Sequence, residues 1–180
     1  MQLSALELRK GYLVTYQGRM CTVIHWNILR NDRRQFVQMK VKDLLTGRIQ
    51  EMKEHGETKY EVLETEKIDL THSYRDGNEE VFYTADGAEY RVGHEAAEDA
   101  LKWPGETYKG MLADGKLVAI ELPMSVTAVV TETAPPMKGG GSGTKDAMLE
   151  NGIKVRVSLL TAVGDKVRID PETLEFKERV

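Results

Sequence analysis

Arg30, Arg33 and Arg34 put three guanidinium groups into one hexapeptide, Arg30-Asn31-Asp32-Arg33-Arg34-Gln35. A guanidinium is planar, permanently charged and carries its donors in a fixed fork, so it suits phosphate oxygens and stacks on nucleobases. The hexapeptide separates two strand-like runs, Trp26-Asn27-Ile28-Leu29 and Phe36-Val37-Gln38-Met39-Lys40-Val41. It is therefore expected at the exposed tip of a hairpin. Like charges crowded at a tip repel one another. Taken alone, a loop kept charged for solubility accounts for them as well as a phosphate contact does.

Other reactive side chains show weaker patterns. His25, His55, His72 and His94 are scattered, and no pair has the spacing of a helix-borne zinc site. The single cysteine, Cys21, lies in an apolar run and reads as a packed thiol, with no internal disulfide or thiolate cage within reach. Lys138-Gly139-Gly140-Gly141-Ser142-Gly143-Thr144-Lys145 has the glycines of a phosphate-binding loop but not its order. Lys145 follows Thr144, and Asp146 stands where Ser or Thr would bind magnesium, so the segment reads as a plain loop. Nothing singles out an acid/base pair among the carboxylates. The expectation is no metal, no cofactor and no catalytic constellation.

The elements that must carry the arginines are strands. Tyr12-Leu13-Val14-Thr15-Tyr16, Cys21-Thr22-Val23-Ile24-His25-Trp26 and Phe36-Val37-Gln38-Met39-Lys40-Val41 are β-branched or aromatic runs bounded by turn residues. Gln17-Gly18 and Leu45-Thr46-Gly47-Arg48 fit reversals between such runs. Asp76-Gly77, Asp86-Gly87, Asp114-Gly115 and Asn151-Gly152 are hairpin signals, because both residue types tolerate positive φ. One alanine-rich stretch, residues 93–103, predicts a short helix stopped by Pro104. The chain is thus all-β, and a short helix between strands suits an oligonucleotide-binding (OB) barrel. Five paired residues per arm, at roughly 3.3 Å each, would carry the arginine tip about 17 Å outward.

The 180 residues are 41% hydrophobic and 30% charged, and mean hydropathy is -0.43. This is a folded, water-facing balance, with no run of eighteen apolar residues to span a membrane. The start of the chain lacks a basic segment followed by an apolar one, so a reduced, cytoplasmic protein is expected. Boundaries are expected near residues 63 and 127, giving pieces 1–63, 64–127 and 128–180. The first carries 11 Lys and Arg against 7 Asp and Glu, the second 6 against 14 and the third 8 against 8. The formal net charge of -4 therefore hides one basic piece fit to face a polyanion and one acidic piece that would repel phosphate.

Several stretches resemble bacterial elongation factor P. The strongest is Lys145-Asp146-Ala147-Met148-Leu149-Glu150-Asn151-Gly152, continuing Ile153-Lys154-Val155-Arg156-Val157-Ser158 and Val163-Gly164-Asp165-Lys166. Leu8-Arg9-Lys10-Gly11, Leu44-Leu45-Thr46-Gly47, Tyr74-Arg75-Asp76-Gly77 and the end of the chain from Ile169 agree as well; Ser158 stands where many members have proline. The resemblance implies an N-terminal SH3-like (KOW-type) barrel, 1–63, followed by two OB-type barrels, 64–127 and 128–180, in an L shape similar to transfer RNA. It implies a monomeric translation factor rather than an enzyme. Such a factor binds the ribosome between the peptidyl and exit sites, contacts ribosomal RNA and peptidyl-tRNA, and relieves stalling at consecutive prolines.

In that family the tip of an N-terminal hairpin reaches the acceptor end of the peptidyl-tRNA, and a tip lysine or arginine is often modified by a dedicated enzyme. No lysine lies at residues 30–36, which leaves arginine rhamnosylation as the modification the resemblance offers. Counted from Cys21 to Lys40, the hairpin is one residue shorter than the common form. Arg33 takes the modified position if the gap follows the tip, and is the expected functional residue; Arg34, or even Asp32, takes it if the gap precedes. Arg30, Asn31, Asp32 and Gln35 would support the tip. Two rival readings have other consequences. A generic OB-type binder of single-stranded nucleic acid would want more than 7% aromatic residues and a basic groove throughout. An enzyme built on the middle carboxylates would turn over substrate in isolation.

Overall fold

A computed structural model describes residues 1–31, 33–103, 105–138 and 142–180, with the backbone alone at Asn31. Asp32, Pro104 and the run Gly139, Gly140, Gly141 lie outside the described residues, so the expected proline stop is not placed. Among the described residues the chain forms three sheets, and every strand-to-strand ladder in them is antiparallel. The all-β expectation holds.

The first sheet comprises β1 (Gln2–Ser4), β2 (Leu13–Tyr16), β3 (Arg19–Asn31), β4 (Arg34–Asp43), β5 (Ile49–His55) and β6 (Lys59–Leu63). They lie in the order β1-β6-β2-β3-β4-β5. Gln17 and Gly18, at φ 51° and 74°, make the reversal from β2 to β3, because two positive φ values match the twist of the strands they join. Along β4, Val37, Met39 and Val41 are buried and the residues between them are not. Period-two alternation thus turns one face onto a core that also takes Ala5, Leu8, Val14 and Val23. The register of β3 on β4 slips between Val23 and His25. Ile24 is the extra residue of a bulge, a device that bends and twists the strand carrying it.

The second sheet holds β7 (Glu66–Asp76), β8 (Glu79–Tyr83), β9 (Glu89–Gly93), β10 (Tyr108–Ala113) and β11 (Lys116–Ile120). They run in the order β11-β10-β7-β8-β9. Its outer strands β9 and β11 meet, so five strands curl towards a barrel. Helix α1 (His94–Leu101) follows β9 and buries Ala96, Ala97 and Ala100. The helix expected over 93–103 is therefore present, two residues shorter at its end. Asp114-Gly115 makes its hairpin with both φ values positive, 52° and 76°.

The third sheet holds β12 (Val126–Thr133), β13 (Thr144–Leu149), β14 (Lys154–Ser158), β15 (Lys166–Ile169) and β16 (Phe176–Arg179), in the order β14-β13-β12-β15-β16. A parallel bridge from Arg156 to Glu175 brings its ends together. Val130, Val157, Val167 and Ile169 fill its interior with Trp103. By compactness the chain forms two units. Met1–Glu98 with Thr107–Glu121 contains the first two sheets; Asp99–Glu106 with Leu122–Val180 contains the third.

Candidate functional site

Antiparallel register fixes what each residue at the end of the β3–β4 hairpin does. Arg30 pairs with Gln35 and Asn31 with Arg34, the last pair of the ladder, and Arg33 lies beyond it as a turn residue. Arg33 sits at φ 76°, in the left-handed region. Glycine is the usual occupant there, and an L side chain is disfavoured by roughly 1–2 kcal/mol. Arg34 is by contrast the first residue of β4, in ordinary strand geometry. Of the apex candidates, the expected Arg33 is a turn residue, its alternative Arg34 a strand residue, and Asp32 lies outside the described residues.

Arg30, Arg33, Arg34 and Gln35 are all exposed. Successive strand residues point to opposite faces. Arg30 therefore shares a face with its partner Gln35, and Arg34 shares the other with Phe36. The expected crowding of three like charges is relieved by this fanning: one arginine per face and one at the turn. Below Arg34, the Phe36 ring is covered by the His55 imidazole, with centroids 4.8 Å apart, and by the Lys53 ammonium at 4.8 Å. An aromatic and cationic ledge thus lies at the root of the turn, a surface of the kind that takes bases and phosphates.

The reach of the tip differs from the sequence expectation. On the β3 side, strand support ends where β2 makes its first-residue pair, Leu13 with Thr22. On the β4 side, β5 continues as far as the pair of Phe36 with His55. Only the two pairs Arg30–Gln35 and Asn31–Arg34 extend past the end of β5, about 7 Å of strand rather than about 17 Å, and Gln35 is still held there by the Gly56 N–H. The cause is β5, Ile49-Gln50-Glu51-Met52-Lys53-Glu54-His55, whose polar composition concealed a strand.

The remaining candidates resolve structurally. Cys21 is buried, and burial pushes its thiol above the ordinary cysteine range, the opposite of an activated nucleophile. Lys145, the second residue of β13, has its ammonium turned inward onto the carbonyls of Ala134 and Thr161, so it holds two loops and is not offered to a phosphate. Three glycines of the run beside it lie outside the described residues. His72 and His94, scattered in sequence, meet at the buried carboxylate of Glu80, at 3.0 Å and 3.3 Å. Spacing could not show this, because β7, β8 and α1 are brought together only by the register of the second sheet. Among the described residues no group of three or more His, Cys, Asp or Glu could hold a metal ion. Nor is any helix there long and apolar enough to cross a membrane.

Residues 126–179 match the family model "Elongation factor P, C-terminal". Elongation factor P of Dechloromonas aromatica (strain RCB) is 35% identical over 98% of this chain and 98% of its own length. That of Thermoanaerobacter sp. (strain X514) is 31% identical over 99% and 100%. A solved structure described as eukaryotic translation initiation factor 5A from Methanococcus jannaschii aligns over 67% of this chain and 94% of its own, at 13% identity and a TM-score of 0.45. With full-length relatives above 30% identity and a matching C-terminal model, the chain belongs to the elongation factor P family.

Proposed function

We propose that this translation elongation factor binds the ribosome between the peptidyl and exit sites and presents the Arg33 turn to the 3′ end of a peptidyl-tRNA. There it stimulates peptide-bond formation at consecutive prolines. Family membership supports the role in elongation, and the finer reading rests on one observation: an exposed arginine held at φ 76° at the end of a supported hairpin. A conformation that favours glycine, occupied instead by arginine, speaks for a side chain retained for what it contacts.

The mechanism needs no acid, base or nucleophile from this chain. Peptidyl transfer belongs to the ribosome, and the factor restricts the acceptor end of the tRNA to a reactive geometry. Orientation of that kind is worth several kcal/mol of barrier when it replaces free motion. Arg33 supplies a forked, permanently charged donor for phosphate or ribose oxygens, and Arg30 and Arg34 add charge on either face. The division of labour would follow the pieces 1–63, 64–127 and 128–180: the basic first piece faces RNA, and the acidic middle piece keeps clear of it. The working site is cytoplasmic, and the partners are the ribosome and its RNA, with a modifying enzyme if the Arg33 guanidinium carries rhamnose.

Arg33→Ala tests the assignment in a reconstituted translation assay on a polyproline template. The expected result is at least a tenfold loss of stall relief, with a smaller loss for Arg34→Ala. Full activity in both variants would refute the site. Intact mass of protein purified from its own host decides the modification: a deoxyhexose increment that is lost in Arg33→Lys would establish rhamnosylation of Arg33, and an unmodified mass would exclude it.

A further inference from the structure

The bare end of the hairpin is held by backbone contacts that converge from both of its arms. On the β4 arm, the carbonyl of Gln35, the last residue before the ring ledge, accepts the Gly56 N–H at 2.9 Å. The carbonyl of Gly56 in turn accepts the Leu6 N–H at 3.1 Å. On the outer edge of the β3 arm, past the end of β2 pairing at Thr22, the Trp26 indole Nε1–H donates to the Ala5 carbonyl at 2.9 Å. Both chains of bonds end in the short 3-10 turn Ala5–Glu7.

That turn is itself pinned. Ala5 is fully buried, and its N–H bonds the Thr58 carbonyl at 2.8 Å. The Arg9 guanidinium lies over the Trp26 ring at 4.5 Å and donates to the carbonyls of Leu6 and Leu8. A cation seated on an indole while hydrogen-bonded to the adjoining backbone joins turn and strand at two points.

Gly56 shows how tight the junction is. Its φ is not in the left-handed region, so glycine is not required there for conformation. It is required for space. A Cβ at this position would stand 2.7 Å from Leu6 Cγ, 2.8 Å from Leu6 Cδ1 and 3.2 Å from the Gln35 carbonyl oxygen. The missing side chain lets three backbones from distant parts of the chain close on one another.

We propose that the turn Ala5–Glu7, acting through Gly56 on β4 and Trp26 on β3, is a strap that positions the Arg33 turn. Gly56 and Trp26 are positioning residues, not contacts to RNA. This rests on the function proposed above. The physical reason is the length of the free segment: with only two pairs beyond β5, the direction of Arg33 is set by how firmly Gln35 and Trp26 are held. A displacement of about 1 Å at a reacting centre is worth on the order of a hundredfold in rate.

The test uses the full chain with Gly56→Ala, Trp26→Phe and the double variant Leu6→Ala with Gly56→Ala, in which the two closest colliding atoms, Leu6 Cγ and Cδ1, are removed. Two properties are read: amide hydrogen exchange at Arg33, Arg34 and Gln35 in the free protein, and stimulation of a stalled ribosome over a range of factor concentration. Gly56→Ala and Trp26→Phe are expected to quicken exchange about tenfold and to lower the maximal stimulated rate at least fivefold. The half-saturating concentration should stay within twofold, and the double variant should recover both properties. Trp26→Phe carries the test if Gly56→Ala does not fold. Unchanged exchange would overturn the strap. Quickened exchange with a wild-type maximal rate, or a loss appearing only as weaker half-saturation, would overturn the positioning role. Absence of stimulation by the wild-type protein would instead overturn the proposed function, while the exchange measurement still decides the strap.

Discussion

Among the described residues of the hairpin, Arg33 is both the one in the left-handed region and the one assigned the contact. The two properties can be separated by choosing what replaces it. Alanine removes the guanidinium and keeps a Cβ in the left-handed region; glycine removes the guanidinium and the strain together. Arg33→Gly should therefore be more stable than Arg33→Ala by about 1 kcal/mol, while both lose stall relief alike. Urea denaturation beside the translation assay checks this, and equal stabilities would mean that the turn relaxes once the arginine is gone. The three arginines and their place at a hairpin end were legible in the sequence from composition and flanking strands. Which of them occupies the turn was not, because the register of β3 on β4 includes the bulge at Ile24 and is set by pairing across the whole strand.

Among elements, the turns were the most legible and β5 the least. Gln17-Gly18 and Asp114-Gly115 carry their own conformational preference and fold as their residues direct. β5 buries Met52 alone among its seven residues, so it shows no alternation; it is a strand because β4 offers it an edge. The joint between β4 and β5 is Asp43, whose carboxylate takes Arg19 at 2.8 Å and the N–H groups of Leu45 and Thr46 at 2.8 Å and 3.1 Å. The Arg19 hydrogen bond first, then those amides, hold the Asp43 carboxyl below its ordinary value against the opposing effect of burial. A depressed folded-state value means that the stabilisation is complete above the unfolded value, near pH 4, and is lost as pH falls through the folded one. Asp43→Asn should cost about 1–3 kcal/mol at pH 7 and narrow the difference between stabilities measured at pH 7 and pH 3. An unchanged difference would show that other carboxylates account for the acid limb. Because β5 supports the tip as far as His55, the variant should also weaken stall relief.

At the scale of the whole chain, the useful quantity is where the charge lies. Residues 1–63 carry 11 basic against 7 acidic side chains, and residues 64–127 carry 6 against 14. Each phosphate contact formed by a cation releases condensed counterions, so the logarithm of affinity falls with the logarithm of salt in proportion to the contacts made. If binding to the ribosome is local to the basic piece, substitutions there change that slope and neutralisations elsewhere do not. Arg30 and Arg34 lie on opposite faces of the hairpin, so a groove that encloses the tip would register both, whereas a flat surface would register one. Arg30→Ala and Arg34→Ala should each lower the slope by about 1 in the first case. Neutralising exposed acids of the middle piece, Glu79→Gln with Asp114→Asn, should leave it unchanged. Sedimentation of factor with ribosomes across a salt series reads all of these. A steeper slope after Glu79→Gln with Asp114→Asn would place the acidic piece against a polyanion and contradict the assignment of RNA contacts to residues 1–63.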